Sequence, residues 1–258
     1  MPKPARRRIK RYGWIPDLPD RRDYVFSTPK ATLRALPPRV NLTRVCPPVY
    51  DQGELGSCTA QAIAAALQFD QLKQAQSDVF VPSRLFIYYN ERLIEGTVEE
   101  DAGAMLRDGI KSVARHGAPH ESIWPYVIER FRRRPASAAY TDAALHQALV
   151  YQRVKQTEPE LRGCLASGYP FVFGFSVYES FESARVTATG VVPMPSRHES
   201  VLGGHAVLAV GYDDATQRFT VRNSWGANWG QAGYFTMPYP YMTANGLSSD
   251  FWTTRIVT

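Results

Sequence analysis

The sequence predicts an α+β fold in which helices come first and strands follow. Three observations carry this. Between residues 57 and 166, Ala-rich or apolar-rich segments sit behind capping residues and before glycines, as helices do. From Phe171 onward the signal changes to runs typical of strands. The 258 residues suffice for one large domain or two lobes with a sizeable core, and 44% hydrophobic with 21% charged residues is ordinary for a globular chain.

Residues 1–35 read as an N-terminal extension, and residues 36–258 as the main domain. The extension holds a basic arm, a Pro/Asp/Arg-rich segment ending in Tyr24-Val25-Phe26, and a polar joint. Ser57 is a good N-cap for the Ala-rich run from Cys58 to Gln68. Ser83 caps a dense apolar stretch from Arg84 to Leu93, which Gly96 ends. A third helix is expected over Ala104–His116, stopped by Gly117. Two short ones are expected over Thr141–Tyr151 and Thr157–Ala166, the latter with Pro159 in its first turn and Gly168 beyond its end. Phe171–Val177 reads as a buried strand. Ala206–Tyr212 and Phe219–Asn223 flank a turn and read as a hairpin, which sets His205 beside Asn223.

Composition excludes several classes. Three cysteines are too few for a disulfide scaffold, and an unpaired Cys46 and Cys164 is the better expectation. No Cys/His cluster has zinc-ligand spacing. His116 and His120 are four apart, but Gly117 and Pro119 break a helical ligand pair, so neither metal nor cofactor is expected. The net charge of +6 equals the six positive charges among the first eleven residues, which contain no acid. The basic balance therefore belongs to a tail. Such a tail could contact phosphate or nucleic acid, but a solubilising arm is the simpler expectation. Arg130–Pro135 reads as an exposed loop. The N-terminus has no apolar run of signal-peptide length and no segment reaches membrane-spanning length, so a cytoplasmic location without membrane contact is expected, export by a signal-less route being the other option.

Three stretches carry chemistry. Gln52-Gly53-Glu54-Leu55-Gly56-Ser57-Cys58 places a thiol in the first turn of a helix, where the dipole and unpaired amides favour a thiolate. Gly203-Gly204-His205-Ala206 follows, with His205 147 residues after Cys58. Asn223-Ser224-Trp225-Gly226 begins 18 residues later. A thiolate attacks, an imidazolium stabilises it and protonates the leaving amine, and an amide oxygen fixes the ring's tautomer. Gln52 can offer its side-chain amide to an oxyanion beside the Cys58 backbone N–H. Singly, each residue reads as packing or a turn. Jointly, in this order, Gln52, Cys58, His205 and Asn223 read as catalytic groups.

These motifs resemble the papain-like cysteine peptidases, and among them the bacterial xylellain type. The match runs through Gln52, Gly53, Gly56, Ser57 and Cys58. It is complete in Asn223, Ser224, Trp225, Gly226, Trp229, Gly230, Gly233 and Tyr234, and covers roughly residues 36–258. The resemblance implies a two-lobed fold with a helical lobe, a β-rich lobe and the active-site cleft between them, and an endopeptidase acting on peptide or protein substrates. It implies that Gly103 and Ala104 present backbone groups to an extended substrate, and that Gly174, Gly203 and Ala206 line a side-chain pocket whose floor is Ser249 or Asp250. Gly56, Ser57 and Gly204 fall beside these groups. Trp225 is implied to cover the His–Asn contact from water.

The chain departs from the family at Leu55 and Asp101, where the two halves of a disulfide usually stand, and at Thr59, where a Trp is common. A transpeptidase or deamidase would use the same catalytic groups, and a non-catalytic binding module remains a third option, against which the complete set argues. The extension is too short for the usual helical pro-domain. Its Tyr12, Trp14, Ile15, Leu18, Tyr24, Val25 and Phe26 are costly to expose. Residues 12–26 are therefore expected to dock on the body as a strap, either over the cleft or behind the lobes as a brace.

Overall fold

Two apolar cores, one beneath helices and one among strands, share a single large sheet. The computed structural model describes residues 12–147 and 149–256, so the basic arm lies outside the described residues. The N-terminal segment contributes β1 (Trp14–Ile15), β2 (Val25–Phe26), α1 (Lys30–Arg34) and β3 (Arg39–Asn41). The helical half holds α2 (Cys58–Lys73), α3 (Arg84–Glu95), β4 (Ala104–Met105), α4 (Leu106–His116) and α5 (Ser137–Ala143). Next come β5 (Leu149–Val154), α6 (Glu158–Ala166), β6 (Phe171–Tyr178) and α7 (Ala184–Thr189). The last stretch holds β7 (Val201–Asp213), β8 (Arg218–Arg222), β9 (Tyr234–Pro238), α8 (Tyr239–Thr243) and β10 (Ser248–Ile256).

Local chemistry sets most of these bounds. Ser83 caps α3 by accepting the Phe86 N–H at 3.2 Å, and Gly96 ends it in the left-handed region at φ 73°. Helix α6 lies where Pro159 and Gly168 place it. The hairpin β7–β8 pairs Leu208 with Arg222 and Tyr212 with Phe219.

Strands run in the order β2-β5-β10-β6-β7-β8-β9, with β3 added beside β7. The period of two along the central strands divides the cores. Val172, Ala206, Leu208 and Val210 face the helices, while Phe171, Phe173, Phe175, Val207 and Ala209 face the second core.

One expected helix is misplaced. Thr141–Tyr151 is not helical throughout: α5 begins earlier, a 3-10 turn covers Ala144–His146, and Leu149–Val154 is strand. The reason is tertiary. That strand pairs antiparallel with β10 from Leu149↔Ile256 to Arg153↔Trp252, and the pairing outweighs local propensity. The third helix starts at Leu106 rather than Ala104, because Ala104 and Met105 pair with Trp14 and Ile15.

Cys46, Cys58 and Cys164 are free thiols. Cys46 packs against the helical core and Cys164 sits inside the other, so the two are not placed to pair. Melting temperature is therefore expected to be the same with and without a thiol reductant. A clear drop on reduction, followed by calorimetry, would contradict this arrangement.

Candidate active site

Helix α2 begins at Cys58 and is buried from there to Gln71. Ser57 marks the helix start as expected, but its side chain makes no capping bond. Its hydroxyl instead pairs with the Tyr126 hydroxyl at 2.6 Å and accepts from Gln61 Nε2 at 3.2 Å. The first-turn amides of α2 are thus left to other acceptors.

Strand β7 supplies His205 and Ala206. The Ala206 N–H donates to Cys58 Sγ at 3.4 Å, which ties the two lobes at the sulfur. His205 Nε2 meets Asn223 Oδ1 at 2.8 Å. An amide oxygen only accepts, so Nε2 carries the proton and Nδ1 is the basic nitrogen. The Trp225 ring lies 5.0 Å from the His205 ring at an interplanar angle of 30°. Gln52 is fixed by both ends of its amide: Nε2 donates to the Leu55 carbonyl at 2.9 Å, and Oε1 accepts from the Ser224 hydroxyl at 2.6 Å.

Where the resemblance leads one to look for a disulfide, a carboxylate ties the segments. The Gly56 N–H donates to both oxygens of Asp101, at 3.0 and 3.1 Å, and the Tyr88 hydroxyl donates to the same carboxylate. Tyr88 also accepts from the Gly103 N–H at 3.2 Å. Sequence reasoning noted the missing bridge and missed this replacement, although an acid at one bridge position was the available signal.

The N-terminal strap runs through the cleft. Trp14 and Ile15 pair parallel with Ala104 and Met105, and the Ala104 N–H donates to the Gly13 carbonyl at 2.8 Å. The backbone N–H of Gly13 reaches the Cys58 sulfur. A Cβ on Gly13 would fall 1.6 Å from the Gly56 carbonyl oxygen, so only glycine allows this approach. Tyr12 packs its ring edge-on to His205 and close to Trp225. On the β side, Gly174 and Gly204 lie against the Trp14 side chain and Gly203 against Tyr12. Residues 12–14 thus lie against Gly56, Gly103, Ala104, Gly174, Gly203 and Gly204.

Of the two candidates for the pocket floor, Asp250 touches the strap. Its carboxylate accepts from Trp14 Nε1 at 3.2 Å and from the Asp17 N–H at 2.8 Å, with Arg153 at 3.2 Å. Asp250 sits at a bulge between Ser249 and Trp252 of β10, at φ 59°, and this left-handed turn aims it at the cleft. Beyond the cleft the strap becomes a brace. Asp23 pairs with Arg107 at 2.6 Å and Arg153 at 3.2 Å, β2 joins β5, and α1 packs on α6. The two placements expected as alternatives are both present, in different parts of one segment.

The thiol is the point where expectation and structure differ most. Burial pushes the Cys58 thiol up to about 12, against hydrogen bonds from Ala206 and Gly13 that lower it. The strapped state therefore holds a protonated thiol, not the thiolate that the helix start alone suggests.

The comparisons with known proteins agree with one another. The family profile described as papain family cysteine protease matches residues 36–251. The crystal structure of xylellain, a cysteine protease from Xylella fastidiosa, is similar at 46% identity and a TM-score of 0.91, covering 98% of this chain and 99% of that one. An uncharacterized peptidase C1-like protein of Acanthamoeba polyphaga mimivirus is 40% identical over 96% of this chain and 88% of its own. Digestive procathepsin L 3 of Tenebrio molitor shares the fold alone, at 16% identity and a TM-score of 0.72 over 96% of this chain and 76% of that one.

A pH dependence follows from Asp17. Burial, then the nearby Asp250 carboxylate, raises its pKa well above the usual carboxylate range. The docked strap therefore favours protonated Asp17, and an undocked one releases that proton at about pH 4. Docking gains this contribution fully below about pH 4 and loses it as pH rises through the raised value. After correction for intrinsic exchange, the Trp14 indole N–H is expected to be better protected at pH 5 than at pH 7.5. Asp17→Asn should flatten the difference, and a difference that survives it would refute the assignment.

Proposed function

Because the chain belongs to the papain family of cysteine proteases, we propose that it cleaves peptide bonds with Cys58 as nucleophile, His205 as acid and base, and Asn223 as the orienting group. The observation that carries this is the 2.8 Å contact of His205 Nε2 with Asn223 Oδ1, one residue from the Ala206 amide on Cys58 Sγ. In the open enzyme, His205 Nδ1 takes the thiol proton. The sulfur then attacks the substrate carbonyl carbon. The carbonyl oxygen becomes an oxyanion held by the Cys58 N–H and the second N–H of Gln52 Nε2. His205 returns the proton to the leaving amine as the C–N bond breaks. Water, deprotonated by His205, then opens the thioester and regenerates the thiol.

The substrate backbone takes the path now held by Gly13–Ile15 and adds as a strand along Ala104. Trp14 fills the side-chain pocket. Asp250 at its floor favours a large substrate side chain that ends in a donor, such as Arg. Residues 12–17 act as a built-in inhibitor, because they cover the thiol and hold the substrate's path. Residues 23–34 act as a brace for β5 and α6.

Turnover of a fluorogenic dipeptide, measured on full-length variants and a chain starting at Leu36, tests the whole reading. Cys58→Ala should abolish hydrolysis, and Asn223→Ala should leave a reduced rate. Gln52→Ala should cost about 10²–10³ in turnover. Full activity in Cys58→Ala would end the thiol-protease reading.

The strap is tested separately. Gly13→Val, which cannot fit beneath Gly56, should raise turnover and speed thiol labelling of the full chain. The shortened chain should also turn over faster, but melt lower, because it loses the brace. Unchanged turnover in both would refute inhibition by the strap.

A further inference from the structure

Away from the cleft, three residues far apart in sequence converge on the surface of the helical lobe. Asp78 lies in the loop after α2, His120 follows α4, and His146 ends the 3-10 turn after α5. One ligand atom from each lies within 4.8 Å of the others. We propose that Asp78, His120 and His146 form a binding site for a divalent transition-metal cation, with zinc the ion that best suits their chemistry.

The first support is the placement of His120. Its Nδ1 is 2.9 Å from Asp142 Oδ2, and its backbone N–H donates to the same oxygen at 2.8 Å. The other ring nitrogen, Nε2, faces Asp78 Oδ2 at 3.3 Å. A cation between them would be shared by an imidazole nitrogen and a carboxylate oxygen. A carboxylate that orients a ligating imidazole from behind is the usual outer support of a zinc histidine.

The second support is His146. Its Nε2 is buried and has no hydrogen-bond partner, and such a group calls for a ligand. Phe80 fixes both rings: it stacks on His120 at 3.9 Å between centroids and lies 4.5 Å from His146. The two imidazoles are 5.3 Å apart at 69°, so they converge rather than stack.

Bonds of about 2.0–2.1 Å to nitrogen and oxygen require tetrahedral ligand atoms about 3.3–3.5 Å apart. Asp78 and His120 already meet this, and Asp78 is exposed on a loop that can close on the ion. Two nitrogens and one carboxylate suit zinc better than calcium or magnesium, which prefer oxygen. A fourth position stays open to water. The ion would clip together three connections of the helical lobe. Spacing along the chain could not reveal the site, because no two of its ligands share a short motif.

Zinc chloride titrated into the full-length Cys58→Ala protein tests this, since that background removes the catalytic thiol as a competing ligand. Calorimetry at pH 7.5 should find one ion per chain. Melting should rise by roughly 5–10 °C at free zinc about 100 times Kd, and fall back with chelator. His146→Ala should abolish both effects, while Asp142→Asn should weaken binding about 10–100-fold. His198→Ala, at an exposed site elsewhere, should change neither. Because His146→Ala could unfold the turn, His146→Gln and the zinc-induced ¹⁵N shifts of the His120 and His146 rings provide a second readout. No binding, or equal binding in His146→Ala, would mean that the cluster is an ion pair only and would overturn the site.

Discussion

The structure depends on a helix with no outer face. From Cys58 to Gln71 every residue of α2 is buried, among α3, α4, β7 and β10. Alanines at 60, 62, 64, 65 and 66 let these neighbours approach closely, and α4 comes near enough that a Cβ on Gly109 would fall 2.5 Å from Ile63. Overpacking such a contact costs about 1–3 kcal/mol, so the helix has one seat. Its few polar groups are answered inside: Thr59 donates to Glu91 at 2.6 Å, and burial keeps the Glu91 carboxyl protonated far above its usual range. A sulfur at the first residue of this helix is therefore held as rigidly as the core itself.

The opposite wall has different mechanics. Strands β6, β7 and β10 reach the cleft with glycine at 174, 203 and 204 and with a bulge at Asp250. Small residues clear space for a side chain, and the bulge turns one carboxylate into it. The strap engages both walls: main-chain bonds to Ala104 on the helical side and an indole against Asp250 on the strand side. On the proposed function, recognition and obstruction rest on the same contacts.

Much of this was legible from sequence where the signal is local. Cys58 behind Gln52 and Gly56, and Asn223 ahead of Trp225, sit in short motifs, and the hairpin alone brings His205 to Asn223. What was hidden arises from tertiary pairing. Leu149–Val154 is a strand because β10 lies beside it. The Ser57 hydroxyl leaves its cap because Tyr126 is within reach. Ser249 and Asp250 could not be told apart from sequence, and the bulge that sets Asp250 against Trp14 arises only in the folded sheet. Whether the strap covers the cleft or braces the body had no sequence answer, since it does one with residues 12–17 and the other beyond Asp23.

That division has a kinetic consequence. Between the cleft-filling residues and the anchor at Asp23 the chain crosses residues 18–22, where Leu18, Pro19, Arg21 and Arg22 are exposed. While the link is whole, a displaced strap stays within a few residues of its seat, at an effective local concentration on the order of millimolar. Free peptide substrate must compete with that value whatever the protein concentration. A single cut in the link would turn the same contacts into a bimolecular complex that dilution alone disperses. Five residues, four of them exposed, thus separate a reversible latch from a one-way commitment.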